Sequence, residues 1–259
     1  VKPRSGSGVL STIVLAIAGV IVTISAWWLA TILFDIRPTL LPAPPEVVDA
    51  FGNRPDHLAE QTWASLRATL LGFAVAVVAG LVLAVAVTAS QLVNRAFLPQ
   101  IVAINAIPKV AIAPMLIVWL GFGESPRVVL AFLISFFPIV VATMAGLTSV
   151  PADLGELARS LSASRVQTFI KIRFPWALPQ VFVGLKLGIT LAVIGTVVAE
   201  MQVPNQGLGA VIKTSSASSD MARAFAGIVL LMALSVTLFY LVVAIERLTL
   251  PWARATAAR

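Results

Sequence analysis

The sequence has no cysteine and one histidine, His57. Without cysteine there are no disulfides, no thiolate metal sites and no cysteine nucleophiles. A single histidine removes most imidazole-based metal and general-base chemistry, and His57 reads as a polar residue on an extramembrane loop. Charge is also scarce. Only 11% of the 259 residues are charged and 59% are hydrophobic, whereas a soluble domain carries about 25% charged residues. With a mean hydropathy of +1.00, the chain cannot solvate the surface of a soluble fold. The expectation is an all-α integral membrane protein. Residues 1–259 are read as a single transmembrane domain, with no room for a soluble catalytic domain.

Two further absences bear on activity. No paired intramembrane carboxylates, histidine cluster or nucleophile–base pair is visible, which weakens the reading as a membrane enzyme. No phosphate-binding loop is present either. The nearest text runs from Gly207 to Lys213 and Thr214, but Ile212 stands where that motif needs glycine. No metal ligand set is expected, and no cofactor is expected on this chain. Any ATP-driven step would fall to a separate chain.

What the chain does have is long apolar runs. A bilayer core needs about 20 apolar residues in a helix. Six stretches qualify: Val9–Phe34, Thr62–Ala89, Phe97–Phe122, Arg127–Val150, Ala177–Met201 and Arg223–Leu248. The first, preceded by Lys2 and Arg4, is too long for a signal-peptide core and reads as a retained span.

The net charge of +7 reads as basic loops on one side of a membrane rather than as a nucleic-acid surface. With the N-terminus inside, the inner segments carry Lys2, Arg4, Arg95, Arg159, Arg165, Lys171, Arg173, Arg247, Arg254 and Arg259. The outer segments carry Arg37, Arg54, Arg127, Lys213 and Arg223 together with most of the acids. The excess of Lys and Arg favours both termini in the cytoplasm. Residues 1–8, 151–175 and 249–259 are then cytoplasmic, and 35–61 and 202–222 are outer loops. In the first outer loop, Val47, Val48, Ala50 and Phe51 after three prolines suit either a short amphipathic helix at the interface or an ordered linker.

The segment Pro151–Pro175 is polar, basic and patterned as two short helices with a turn between them. Pro151 suits the start of a helix, and Asp153 and Glu156 lie toward its positive end. Leu154, Leu157, Ala158 and Leu161 form one apolar stripe, with Arg159 and Ser160 on other faces. Ser164 and Gln167 fit a capping box opening a second short helix, with Val166, Phe169 and Ile170 on its apolar side and Pro175 as its end. Helices this short are not stable alone in water. They need a surface, either the lipid interface or a groove in a cytoplasmic partner.

This segment resembles the EAA loop of binding-protein-dependent ABC importer permeases, whose pattern is Glu-Ala-Ala, three residues, Gly, nine residues, Ile-x-Leu-Pro. Here it reads Glu156-Leu157-Ala158, then Ser162 at the glycine position, then Ile172-Arg173-Phe174-Pro175. The departures are Leu157, Phe174 and Ser162. Glycine serves where φ is positive or a backbone passes closely, so the turn at Ser162 either keeps φ negative or carries mild strain. LLPAPPEVV, NAIPKVAIAPMLIVWLGFGES and VVAEMQ followed by GLG extend the resemblance to the nitrate/sulfonate/taurine group, from about residue 40 to 250.

The resemblance implies a type I-like permease with six transmembrane helices and coupling helices between the fourth and fifth spans. It implies a second permease copy, two cytoplasmic ATP-binding cassette subunits that use ATP and magnesium, and an extracytoplasmic solute-binding protein. Glu156, Ala158, Arg159, Ser162, Ser164, Arg165, Ile172 and Pro175 would form the ATPase-coupling surface. The implied solute is a sulfonate-, taurine- or nitrate-like anion, with a thiamin-pyrimidine or riboflavin-type heterocycle as the alternative. An ATP-independent secondary transporter is the competing class, disfavoured because no internal repeat and few mid-membrane carboxylates are visible.

Polar residues within spans are pathway candidates. Lys109, beside Asn105 and Pro108 in the third span, either faces an anionic solute or is locally paired near a proline break. Pro108 and Pro114 remove backbone donors and bend that span. Glu200 and Gln202 either line the outer end of the fifth span or form a solvated helix terminus, followed by a turned loop at Gly207 and Gly209. Gly184, Gly188 and Gly80 mark close helix packing, within a subunit or across a dimer. Lys186 and Arg67 read as snorkelling side chains.

Overall fold

The computed structural model describes residues 6–203 and 205–251. Lys2, Arg4, Arg254 and Arg259, assigned above to cytoplasmic termini, lie outside the described residues. Those residues form helices α1 (Gly6–Leu33), α2 (Pro44–Asn53), α3 (Pro55–Thr88), α4 (Gln91–Asn105), α5 (Lys109–Leu120), α6 (Ser125–Thr148), α7 (Ala152–Ser160), α8 (Arg165–Thr168), α9 (Phe174–Gln202), α10 (Leu208–Ala217) and α11 (Met221–Thr249). A π-helical turn, Phe169–Arg173, joins α8 to α9. No strand is present among the described residues.

The core is α3, α6 and α9, and small residues set their approach. A side chain at Gly72 of α3 would meet Ala131 of α6, and one at Gly80 would meet Ile139. Positions advancing along α3 therefore meet positions advancing along α6, so these helices run parallel. Helix α9 runs the other way: Gly184 faces Ala142 and Pro138, Gly188 faces Ile139, and Gly195 faces Ala131 and Leu130. A Cβ at Gly195 would lie 2.8 Å from backbone atoms of α6. Gly80, Gly184 and Gly188 are thus contacts within the chain. Ile139, Leu130 and Ile189 are fully or almost fully buried around them.

Because α3 and α6 are parallel, the chain between them must travel back the length of the bundle. It does so as α4 and α5, bent by 82° at the break around Pro108. The third run is therefore two helices rather than one continuous span. Pro108 precedes α5 with an extended backbone (φ −68°, ψ 93°) and cannot donate a helical hydrogen bond. Among the described residues, four helical runs are long and apolar enough to cross a membrane: Pro55–Thr88, Ser125–Thr148, Arg165–Gln202 and Met221–Thr249. The α4–α5 pair makes a fifth if its bend lies within one span.

Other expectations need correction. Pro175 does not end a helix. It sits in the first turn of α9, and Arg165–Gln202 runs on as one 38-residue helix. The π turn makes this feasible, because the Phe174 N–H reaches back to Phe169 O and the widened turn precedes the proline that lacks a donor. Helix α3 begins at Pro55, ahead of the expected Thr62. The α2 segment is helical, but Val47 and Ala50 are buried against Ala226 of α11 rather than left to lipid. Within 202–222 the chain forms a ten-residue helix, α10, where a loop was expected.

Among the described residues, three non-glycine residues have a positive φ, and they share one cause. Asp35 (φ 46°), Ser162 (φ 52°) and Ser219 (φ 60°) each follow the end of a helix. In each case the next residue's N–H reaches back five positions: Ile36 to Thr31, Ala163 to Ala158 and Asp220 to Ser215. Each positive-φ residue also bonds three positions back. This is the Schellman arrangement, which uses a left-handed residue to satisfy the last carbonyls of a helix.

Candidate functional site

Two polar sites occupy opposite ends of the bundle. The first gathers where α3 begins, α6 begins and α9 ends. Gln61, Ser65 and Thr69 lie four residues apart on α3 and form one buried stripe. Thr69 Oγ1 donates to Thr196 Oγ1 of α9 at 2.9 Å. One turn further along α9, Glu200 is fully buried. Ser65 Oγ lies 2.8 and 3.0 Å from its two carboxylate oxygens.

The loop after α9 closes onto this group. Gly207 has φ 100° and ψ 165°, a conformation open essentially to glycine alone. It turns three consecutive backbone N–H groups inward at the start of α10. Gly207 N–H donates to Gln61 Oε1 at 2.6 Å, Leu208 N–H to Ser65 Oγ at 2.9 Å and Gly209 N–H to Glu200 Oε2 at 2.9 Å. Helix α10 is thus capped by side chains from α3 and α9 rather than by its own neighbours. A carboxylate at the positive end of a helix is favourably placed. Glu200 is therefore not a solvated terminus. It is the central acceptor of a tertiary cap. Gln202, two residues on, is exposed.

Arg127 of α6 completes the cluster. Its side chain is 10% exposed, and Nη1 lies 3.9 Å from Glu200 Oε1. Nε donates to Gly123 O at 3.2 Å and Nη2 to Gln206 Oε1 at 3.3 Å. Nη1 is buried without a hydrogen-bond partner. The arginine forms part of a cleft of about 230 Å³ with Phe122, Pro126, Asn205 and Gln206. Arg127 was visible in the sequence only as a charge at a span edge. Gln61, Ser65 and Thr69 carried a readable signal, namely polar residues at four-residue spacing in an otherwise apolar run.

The second site is the α7–α8 segment at the opposite end. Ser164 caps α8 as the spacing predicts: its N–H donates to Gln167 Oε1 at 2.9 Å and its Oγ accepts from Gln167 N–H at 3.2 Å. Ser162 occupies the left-handed position of the Schellman turn, so the open question about its φ resolves to a positive value. Ala158 is buried, while Leu157, Leu161, Val166 and Ile170 are 55–72% exposed. Glu156 and Arg159 are also exposed and lie 3.8 Å apart, a weak surface pair. Arg165 is exposed, and Ile172 and Pro175 are half-buried where the segment enters α9.

Among the remaining candidates, Lys109 and Asn105 meet across the α4–α5 break. Lys109 Nζ donates to Asn105 Oδ1 and, at 3.3 Å, to Asn105 O. Both are half-buried, and Pro108 and Pro114 are exposed. Lys186 does not snorkel. It pairs at 3.0 Å with Glu246 of α11, both side chains being about three-quarters buried. Arg67 pairs with Glu124 at 3.1 Å while staying 60% exposed.

Comparisons with known proteins agree with this architecture. Residues 76–250 match the family of binding-protein-dependent transport system inner membrane components. The formylaminopyrimidine transport permease protein ThiX of Halalkalibacterium halodurans is 33% identical, over 83% of this chain and 87% of its own length. The riboflavin transport system permease protein RibX of Chloroflexus aurantiacus is 32% identical over 87% and 85%. The taurine transport system permease protein TauC of Escherichia coli is 28% identical over 93% and 90%. The chain belongs to the binding-protein-dependent inner membrane components, the permease subunits of ABC importers, which are not themselves enzymes.

Proposed function

We propose that this chain is half of a homodimeric permease that passes a small solute from an extracytoplasmic binding protein to the cytoplasm by ATP-driven alternating access. Helix α1, the bent α4–α5 pair and the four longer runs serve as six spans, with both termini in the cytoplasm. Two cytoplasmic ATPase subunits bind ATP and magnesium and dock on α7 and α8. What carries this reading is the row of exposed apolar side chains Leu157, Leu161, Val166 and Ile170 on two short, capped helices. Such helices present a preformed ridge to a groove in a partner. Glu156, Arg159 and Arg165 flank the ridge with charge.

The solute is a sulfonate-, taurine- or nitrate-like anion. Lys109, held by Asn105 at the α4–α5 break, supplies a cation within the membrane. Heterocycle import is the second reading, favoured by the likeness to ThiX and RibX. Copurification tests the docking. The wild-type permease should retain its ATPase through size exclusion, and Glu156→Lys should lose it while the permease keeps its own elution volume. ATP-independent uptake by the permease alone would overturn the reading.

A further inference from the structure

The cleft beside Arg127 is not accounted for by helix packing. A guanidinium offers five N–H donors in a fixed fork. Among the described residues only two are used at Arg127, one on Gly123 O and one on Gln206 at 3.3 Å. Glu200 does not complete the set. Its carboxylate is already taken by Ser65 and the Gly209 N–H, and it stands 3.9 Å from Nη1, beyond hydrogen-bonding distance. The nine-tenths buried guanidinium lines the cleft through the Nη2 that meets Gln206, while its unpartnered Nη1 is buried 3.9 Å from Glu200 Oε1. Around it stand the exposed ring of Phe122 and the exposed amides of Asn205 and Gln206. Gln206 sits directly before Gly207 and is, among the described residues, the side-chain partner of Nη2. A neutral amide is a weak partner for a guanidinium, whereas a planar or tetrahedral oxyanion can engage two N–H groups at once.

We propose that this cleft binds a small oxyanion group, a sulfonate or carboxylate of a free solute, with Arg127 as its charge partner and Gln206 as the group the anion displaces. Phe122 supplies an apolar wall for the carbon next to that group. A volume of about 230 Å³ holds a headgroup and a few carbons, not a large ring system. The inference rests on the importer reading for the solute's onward transport, but the binding itself needs neither ATPase nor binding protein.

The test uses the full chain in phosphatidylcholine nanodiscs without partners, with methanesulfonate as the probe and neutral dimethyl sulfone as its isostere. Methanesulfonate should raise the melting temperature saturably, and dimethyl sulfone should not. The informative variant is Gln206→Glu, which places an internal carboxylate on Arg127. It should melt at or above the wild-type temperature while weakening the methanesulfonate response by about tenfold or more, since charge-assisted partners compete directly. Arg127→Gln should also lose the response, but it can fail to fold; Gln206→Glu keeps the arginine and removes that ambiguity. An equal methanesulfonate response in wild type and Gln206→Glu overturns the proposal, as does no response in wild type. A shift produced only by adding phosphatidylglycerol, with none from methanesulfonate, assigns the cleft to lipid and also overturns it. If anion binding holds while the ATPase fails to copurify, the importer reading fails and this one stands.

Discussion

Replacing Gly207 by alanine tests the tertiary cap at its hinge. Two costs are separable. The backbone conformation at φ 100° and ψ 165° is open essentially to glycine, and forcing an L-residue into it costs about 1–3 kcal/mol. The added Cβ would also overlap the Glu200 carboxylate. Moving that carboxylate breaks its bonds to Ser65 and Gly209, and a hydrogen bond to a charged group is worth about 1.5–3 kcal/mol. Together the loss is about 4–9 kcal/mol, a large share of the roughly 5–15 kcal/mol that holds a typical domain together. Gly52→Ala is the control, because nothing lies within 4 Å of a Cβ there, and it should stay within about 1 kcal/mol of wild type. Thermal unfolding in detergent, followed by monodispersity on size exclusion, reads the difference. The double-mutant cycle with Glu200→Ala separates the two costs. With the carboxylate gone the clash term vanishes and only the strain remains, so the cycle should show a coupling of about 3–6 kcal/mol. A neutral Gly207→Ala refutes the cap geometry. An identical cost in both backgrounds refutes the clash and leaves only backbone strain.

Two more substitutions follow from the same physical reasoning. Ser162→Gly should stabilise the α7–α8 turn by about 1 kcal/mol, because glycine takes the left-handed position without penalty; slower proteolysis within 152–168, with unchanged ATPase copurification, checks it. Lys186→Met should destabilise the bundle by about 1–3 kcal/mol by leaving Glu246 without its partner. Lys186→Met with Glu246→Leu should recover much of that loss, as replacing both members of a part-buried pair is commonly tolerated, and thermal unfolding of the three proteins ranks them.

Among the described residues, the second, fourth, fifth and sixth expected spans were legible because a membrane helix advertises itself by length and composition. Gly80, Gly184 and Gly188 were legible as packing positions, though their partners on α6 were not. The α7–α8 segment was the most readable polar part, since its capping box and its turn are local: the bonds at Ser164 and Gln167 span three residues. Pro175 misled because the rule that proline ends a helix does not foresee a π turn ahead of it.

The cap around Glu200 was illegible for a different reason. Its bonds join residues 135, 143 and 146 positions apart. Locally, 202–222 offers two glycines, a lysine, one threonine and four serines, which reads as loop. The helix exists because α3 and α9 supply the acceptors that its own neighbours lack. Lys186 shows the same effect over 60 positions. Periodicity reports which face of a helix is apolar. It does not report which polar atoms meet once parallel α3 and α6 and antiparallel α9 bring their ends together, and in this bundle the buried polar atoms that matter meet there.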